Sequence, residues 1–256
     1  MGLLVNIEAI DRAGKSTQGR LIAEMLAARG ISVARMAFPD RPSAGGHSVA
    51  HFPTGVLIDR FLRGELTLID GRDTLFRRPG LRDLDEETKA EIADVVRAKL
   101  IQLLYSVNRR ERYEGAGGLR EALETFDVVL TERALSAWTY GRAEGVSAVQ
   151  IAAIEGELPQ PDITFLLDID PASARARRTE ETADVYEANL SFQAKVRELY
   201  NEIARIDNTA AEAEGRPPKI VRVDASLPAD TIAGIVVDIV CRRRQGDTTM
   251  PLLSRS

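Results

Sequence analysis

A lysine and a hydroxyl that follow a glycine, placed where an apolar run gives way to helical spacing, are equipped to hold phosphate. Gly14, Lys15 and Ser16 form that group. Leu3–Ile7 before it reads as a strand, and Leu21, Ile22, Met25 and Leu26 after it repeat at helical spacing. Strand, tight loop, then Gly-Lys-Ser is a phosphate-binding loop, in which backbone N–H groups and the positive end of the helix dipole converge on an anion. Lys15 can reach the β- and γ-phosphates of a nucleotide, and Ser16 can ligate Mg²⁺. Ala9 stands where such loops begin with glycine, and its methyl group is a small perturbation where the backbone avoids positive φ. Arg12 lies inside the loop, where the turn does not require a bulky cation. Its planar guanidinium suits bridging the oxygens of two phosphates.

Other groups complement this loop. Phe126–Leu130 reads as a strand with Thr131, Glu132 and Arg133 at its end. An acid beyond the strand next to a phosphate loop is where Mg²⁺ or its waters are held. Ile31–Phe38 is another strand, with Pro39, Asp40 and Arg41 at its carboxyl end, where open α/β sheets place ligands. Tyr105, Arg109 and Arg112 share one helix face, and could grip a base and a charged group or form a partly buried tyrosine beside solvated charge. His47 and His51 lie in a Gly- and Ser-rich stretch without further ligands and read as loop histidines. Cys241, the single cysteine, sits in an apolar helix and reads as a buried structural thiol.

Strands and helices that alternate must position these groups. The 256 residues suit one α/β domain with insertions, or a domain with a small appendage. A net charge of −5 argues against a general nucleic-acid binder. No apolar run is long enough to span a membrane, and the N-terminus lacks a basic region before the phosphate loop, so a cytoplasmic protein is expected. A short helix is expected from Thr54 to about Leu62. A long one begins near Asp83, where Asp83-x-x-Glu86 forms a capping box, with Ile92, Val96, Leu100, Leu103, Leu104 and Val107 as its apolar stripe. Residues 145–156 suggest a helix, and Ile163–Leu167 a strand followed by Asp170 as N-cap and Pro171 at N1. A helix from about Leu190, a solvated linker over residues 208–218, a strand at Ile220–Val223 and a helix from about Pro228 to Arg243 follow. The sheet should be parallel and covered by helices on both faces. The expected division is one domain over residues 1–244 with a flexible tail over 245–256.

These pieces in this order resemble the thymidylate kinase family of P-loop nucleoside monophosphate kinases. Asp11–Gln18 is similar to the phosphate loop of the branch with an arginine inside that loop, and Phe38-Pro39-Asp40-Arg41 to the family's Phe-Pro-acid-Arg segment. Leu103–Arg109 resembles the segment whose aromatic stacks on thymine and whose arginine bonds the base. Leu158–Asp162, Tyr186-Glu187 with Phe192-Gln193, and Val223–Ser226 also match. The resemblance excludes insertions around 44–53 and 72–95, and implies a mobile lid over about 175–189. It implies an ATP- and Mg²⁺-dependent transfer to a deoxynucleoside monophosphate, dTMP first, by a homodimer. Ala13, Gly14, Lys15, Ser16 and Thr17 with Arg175, Arg177 and Arg178 would hold ATP, and Ser16 and Glu132 would place Mg²⁺. Arg12 would bridge donor and acceptor, and Arg41 and Arg133 would hold the acceptor phosphate. Asp11 would meet the sugar 3′-hydroxyl, and Tyr105 with Arg109 the base, with Phe38, Ser136, Tyr140 and Tyr186 around the acceptor.

The chain departs from the family's Asp-Arg-Tyr segment. Glu132-Arg133 is its counterpart if glutamate takes the acid's place, whereas Thr131 there would remove the carboxylate, and Ser136 comes one residue early. Glu132-Arg133 and Arg175–Glu181 also resemble segments of deoxynucleoside kinases, which phosphorylate a 5′-hydroxyl. A non-catalytic nucleotide-binding protein is the third reading.

Overall fold

Strand β1 (Leu3–Glu8) lies at the centre of a sheet completed by β2 (Val33–Ala37), β3 (Val128–Glu132), β4 (Ile163–Asp168) and β5 (Ile220–Asp224). The order is β2-β3-β1-β4-β5, and every pairing is parallel. This computed structural model describes residues 1–40, 53–65, 80, 82–177, 186 and 189–247.

All five residues of β3 are buried, which requires cover on both faces of the sheet. Strand alternation sorts the side chains. Val5, Ile7, Val128 and Leu130 pack in one cluster with Ile22 and Leu26 of helix α1 (Lys15–Ala27). Leu4, Met36 and Val129 pack in another with Leu119, Ala122 and Leu123. Leu26 has no exposed surface and lies in the same cluster as Val236 and Val240, so its truncation to alanine should cost ~2–5 kcal/mol.

The remaining described helices are α2 (Pro53–Leu62), α3 (Glu86–Glu114), α4 (Leu119–Thr125), α5 (Ala148–Glu155), α6 (Pro171–Ala176), α7 (Leu190–Glu214) and α8 (Ala229–Arg244). A π-helical turn, Ala137–Gly141, follows the loop after β3. None of the described helices is long and apolar enough to cross a membrane.

Several sequence expectations change. The long helix starts two residues late: Asp85 is the N-cap, its carboxylate accepting from the Thr88 N–H, and Asp83 lies outside. The apolar stripe expected on α3 is only partly buried: Leu104 packs against the core and Ile92 and Val96 are half-buried, whereas Leu100, Leu103 and Val107 are 40%, 47% and 45% exposed. Beside Ala98 and Ile101, the buried face also carries Gln102, Ser106, Asn108 and Arg109, because polar partners meet it there. Asn108 spans the Asp40 backbone and Thr54, Ser106 donates to the Ile154 carbonyl, and Arg109 pairs with Glu155. The expected linker begins too early as well. Helix α7 continues to Glu214 through an alanine-rich stretch that buries Ala211, and stops at Gly215 in the left-handed conformation. Cys241 is only half-buried, 3.5 Å from an Arg29 guanidinium nitrogen. Arg41, His47, His51, Arg178, nearly all of the first insertion, the opening part of the second, most of the lid and the end of the tail lie outside the described residues.

Candidate active site

The loop leaves β1 after Glu8 and enters α1 at Lys15. Gly14, at φ 96°, turns the chain into the helix in a conformation that suits glycine. Ala9 is fully buried and has no positive φ, so its methyl group is accommodated. Among the described residues, two non-glycines do take positive φ: Arg12 at 63° and Arg133 at 69°. Both are strained by ~1–2 kcal/mol, and the Arg133 guanidinium donates to Asp11. The first turn of α1 has no acidic residue and Gly14 offers no side-chain cap, so the charge there favours an anion.

The Lys15 ammonium donates to the carbonyls of Ala9 at 2.9 Å and Ile10 at 2.7 Å. Burial, with the nearby Arg133 charge, brings its pKa down to about 8. Ser16 Oγ donates to Glu132 Oε2 at 3.1 Å. Thr131 faces the other way and bonds the Val5 carbonyl and the Asn6 amide oxygen. The reason is alternation: Glu132 sits at the register of Ile7, on the α1 side. A hydroxyl and a carboxylate oxygen side by side are hard donors of the kind Mg²⁺ takes together with water and phosphate oxygens. The residues present therefore fit that ion.

Asp11 is the hub. Its carboxylate accepts from Arg133, from Tyr140 Oη at 2.8 Å and from Gln193 Nε2 at 2.9 Å, and lies 3.9 Å from Lys15 Nζ. Burial alone would raise its pKa. The charges of Arg133 and Lys15 and the hydrogen bonds from Arg133 and Tyr140 outweigh burial and hold it well below the usual carboxylate range.

Beside this hub opens a cleft of about 500 Å³, lined by Phe38, Gln102, Tyr105, Arg109, Ser136 and Tyr140 with Asp11, Arg133 and Tyr186. Tyr105 and Arg109 come from adjacent turns of α3. The Arg109 guanidinium is buried against Glu155, and its Nε has no hydrogen-bond partner. Tyr186 stacks on Phe192 at 5.3 Å and meets Tyr140 edge-on at 5.8 Å. Ser136 lies within 3.5 Å of Glu8 and Tyr200. Arg177 reaches across the loop to the carbonyls of Ala13 and Ala225. Arg175 and Thr17 are exposed.

The structure thus brings together Asp11, Lys15, Ser16, Glu132 and Arg133, and sets Tyr105 and Arg109 across the cleft from them. Sequence reasoning assigned no role to Glu8, Gln102, Glu155 or Gln193. Glu8 had a signal, an acid at the end of an apolar strand; it is fully buried and accepts from Tyr200 Oη at 2.6 Å and the Leu135 N–H at 2.5 Å. Gln193 stood in the Phe192-Gln193 segment that resembles the family but was given no contact, and Gln102 and Glu155 had no signal, because their partners are remote in sequence.

Comparison with known proteins adds a family. The model for thymidylate kinase matches residues 82–225. A "Probable thymidylate kinase" of Pyrobaculum aerophilum is 37% identical over 142 residues, 55% of this chain and 67% of that one. Thymidylate kinase of Prosthecochloris aestuarii is 25% identical over 258 residues, 94% of each chain. A solved structure of thymidylate kinase from Candida albicans shares the fold with a TM-score of 0.62 at 22% identity, over 97% of this chain and 94% of that one.

Proposed function

The chain belongs to the thymidylate kinase family, and from that premise we propose that it transfers the γ-phosphoryl group of ATP to a deoxynucleoside monophosphate, dTMP above others. The observation that carries this reading is one cleft in which the phosphate loop, through Asp11, meets an aromatic and an arginine suited to a base, Tyr105 and Arg109.

Phosphoryl transfer needs positioning and charge neutralisation more than covalent help from the protein. Lys15 and the loop amides of Ala13–Thr17 hold the donor phosphates, with Arg175, Arg177 and Arg178 on the lid side. Ser16 and Glu132 hold Mg²⁺, which neutralises phosphate charge when bound. The opposite facing of Thr131 supports Glu132 in that role. Arg12 bridges donor and acceptor. Arg41 and Arg133 take the acceptor phosphate, and Arg133 waits paired with Asp11. Asp11 meets the sugar and Tyr105 the base. The Arg109 Nε, buried and without a partner, is a donor that an acceptor on the base would satisfy.

A homodimer is supported by the exposed apolar side chains of α3, Leu100, Leu103 and Val107, together with Val56 and Leu57 of α2. The working compartment we propose is the cytoplasm.

The test is a phosphoryl-transfer screen of all nucleosides and monophosphates with ATP and Mg²⁺. Efficient transfer to dTMP supports the reading. Efficient transfer to thymidine without transfer to dTMP replaces it with a deoxynucleoside kinase, and no transfer to any acceptor replaces it with a nucleotide-binding protein.

A further inference from the structure

Each oxygen of the Glu132 carboxylate has a partner. Oε2 accepts from Ser16, and Oε1 lies 3.6 Å from the Arg35 guanidinium. Arg35 belongs to β2, the edge strand of the sheet. It also donates to the Ser16 carbonyl at 3.4 Å, so it touches both residues of the metal-holding pair. The contact is sheltered: the Arg35 and Glu132 side chains are 16% and 12% exposed. Gly19 permits it. A Cβ at that position would lie 2.9 Å from Glu132 Oε1 and 3.1 Å from Arg35 Nη2, so a side chain one turn beyond Ser16 would oblige these groups to shift.

An arginine cannot discharge at working pH. Arg35 is therefore a permanent positive charge against the carboxylate that must hold a divalent cation. As a strut alone, it would only anchor the edge strand to the start of α1, through a carbonyl bond that a neutral side chain could also make. Its pairing with the acid itself has a different consequence, because two cations compete for one carboxylate.

We propose that Arg35 is a positioning residue that sets the metal affinity of the site: it holds the Glu132 carboxylate in place before the metal arrives, and weakens metal binding so that the ion enters with the nucleotide. The proposal rests on the reading of Ser16 and Glu132 as the metal-holding pair. It predicts that loss of the charge tightens metal binding, the opposite of what loss of a supporting strut would do. Two like charges a few ångströms apart in a half-sheltered site make the expected change roughly three- to tenfold.

The experiment uses Mn²⁺ as the probe, its dissociation from the complex of the full chain with a non-hydrolysable ATP analogue being read by electron paramagnetic resonance. Arg35→Gln should bind Mn²⁺ roughly three- to tenfold more tightly. Its rate should reach half-maximum at correspondingly less Mg²⁺. Arg35→Lys, which keeps the charge, should stay near the parent protein. Glu132→Gln, run in parallel, should weaken Mn²⁺ binding. If Glu132→Gln weakens it while Arg35→Gln leaves it unchanged or weaker, Arg35 is a strut and the proposal is overturned alone. If Glu132→Gln leaves Mn²⁺ binding unchanged, the metal-holding pair is misassigned and the proposal falls with it. Thermal unfolding of each variant, without nucleotide, confirms that folded proteins are being compared.

Discussion

Asp11→Asn is the substitution that asks most of the site. The carboxylate accepts from Arg133, Tyr140 and Gln193 and lies near Lys15. Asparagine keeps the shape but removes the charge between two cations, and its amide turns a donor toward donors. Breaking a buried ion pair by neutralising one partner costs ~3–5 kcal/mol. The Arg133 side chain is 25% exposed, so water recovers part of that and roughly 2–4 kcal/mol is expected at neutral pH. For a chain of this size each kcal/mol moves Tm by about 2–4 °C, which places the fall at roughly 5–15 °C. The pH dependence has a definite sign. The folded-state pKa of Asp11 is depressed, so its stabilisation is present above the unfolded carboxylate pKa of about 3.9 and is lost as pH falls toward the folded value. The gap between parent and variant should be flat from about pH 5 to 8 and narrow below about pH 4. Differential scanning calorimetry of both proteins across that range is the assay. A variant whose Tm at pH 7 lies within about 2 °C of the parent's refutes the ion-pair reasoning, as does a gap that stays constant down to pH 3.

Three further outcomes are expected. Tyr105→Ala should raise the acceptor KM by roughly 5- to 150-fold, the equivalent of ~1–3 kcal/mol of stacking, and leave the ATP KM nearly unchanged; an unchanged acceptor KM places the base elsewhere. Arg12→Ala should lower kcat by about a hundredfold or more in single-turnover experiments, below the full effect of an arginine finger; if an Arg177→Ala/Arg178→Ala double variant loses the rate and Arg12→Ala does not, the catalytic charge comes from the lid. ATP binding should take up a proton through Lys15, whose pKa is about 8 in the nucleotide-free protein and rises when phosphate stabilises the ammonium. Uptake should approach one proton above about pH 8 and vanish near pH 6.5, read by titration calorimetry in buffers of different ionisation enthalpy; uptake that does not grow with pH contradicts the assignment.

The parts of this site legible in sequence are those in which local pattern and chemistry coincide. The strand before Gly14, the helix after it and the strand ending at Glu132 each announce themselves by periodicity, and the strand-loop-helix context confirms the motif. The preference for Glu132 over Thr131 rested on the need for a carboxylate alone, because which face of β3 meets α1 depends on a register set by β1 from far away in the chain. The polar inner face of α3 misled the hydrophobic pattern for a related reason. Asn108 and Arg109 are buried because Asp40 and Glu155 come to meet them, and neither partner is near in sequence. Helix α4 and the π-helical turn at Ala137–Gly141 were too short to show a period.

The placement of β1 also bears on how the protein is made. Leu3 pairs with Val128 on one side, and Val5 with Ile163 on the other. A ribosome adding ~5–20 residues per second takes on the order of 10–30 s to travel from β1 to the end of β4. Until β3 is made the first strand has neither neighbour, until β4 is made it has only one, and the phosphate loop lacks a complete scaffold. Nascent chains that end before β4 should therefore fail to retain nucleotide, although every residue of the loop has already been synthesised. Such non-local pairing slows folding, because loop closure must precede any return from contact. The oldest segment of the sheet is completed among the last, and until then its apolar side chains, Leu3, Leu4, Val5 and Ile7, are a natural client for whatever shields emerging chains in the cell.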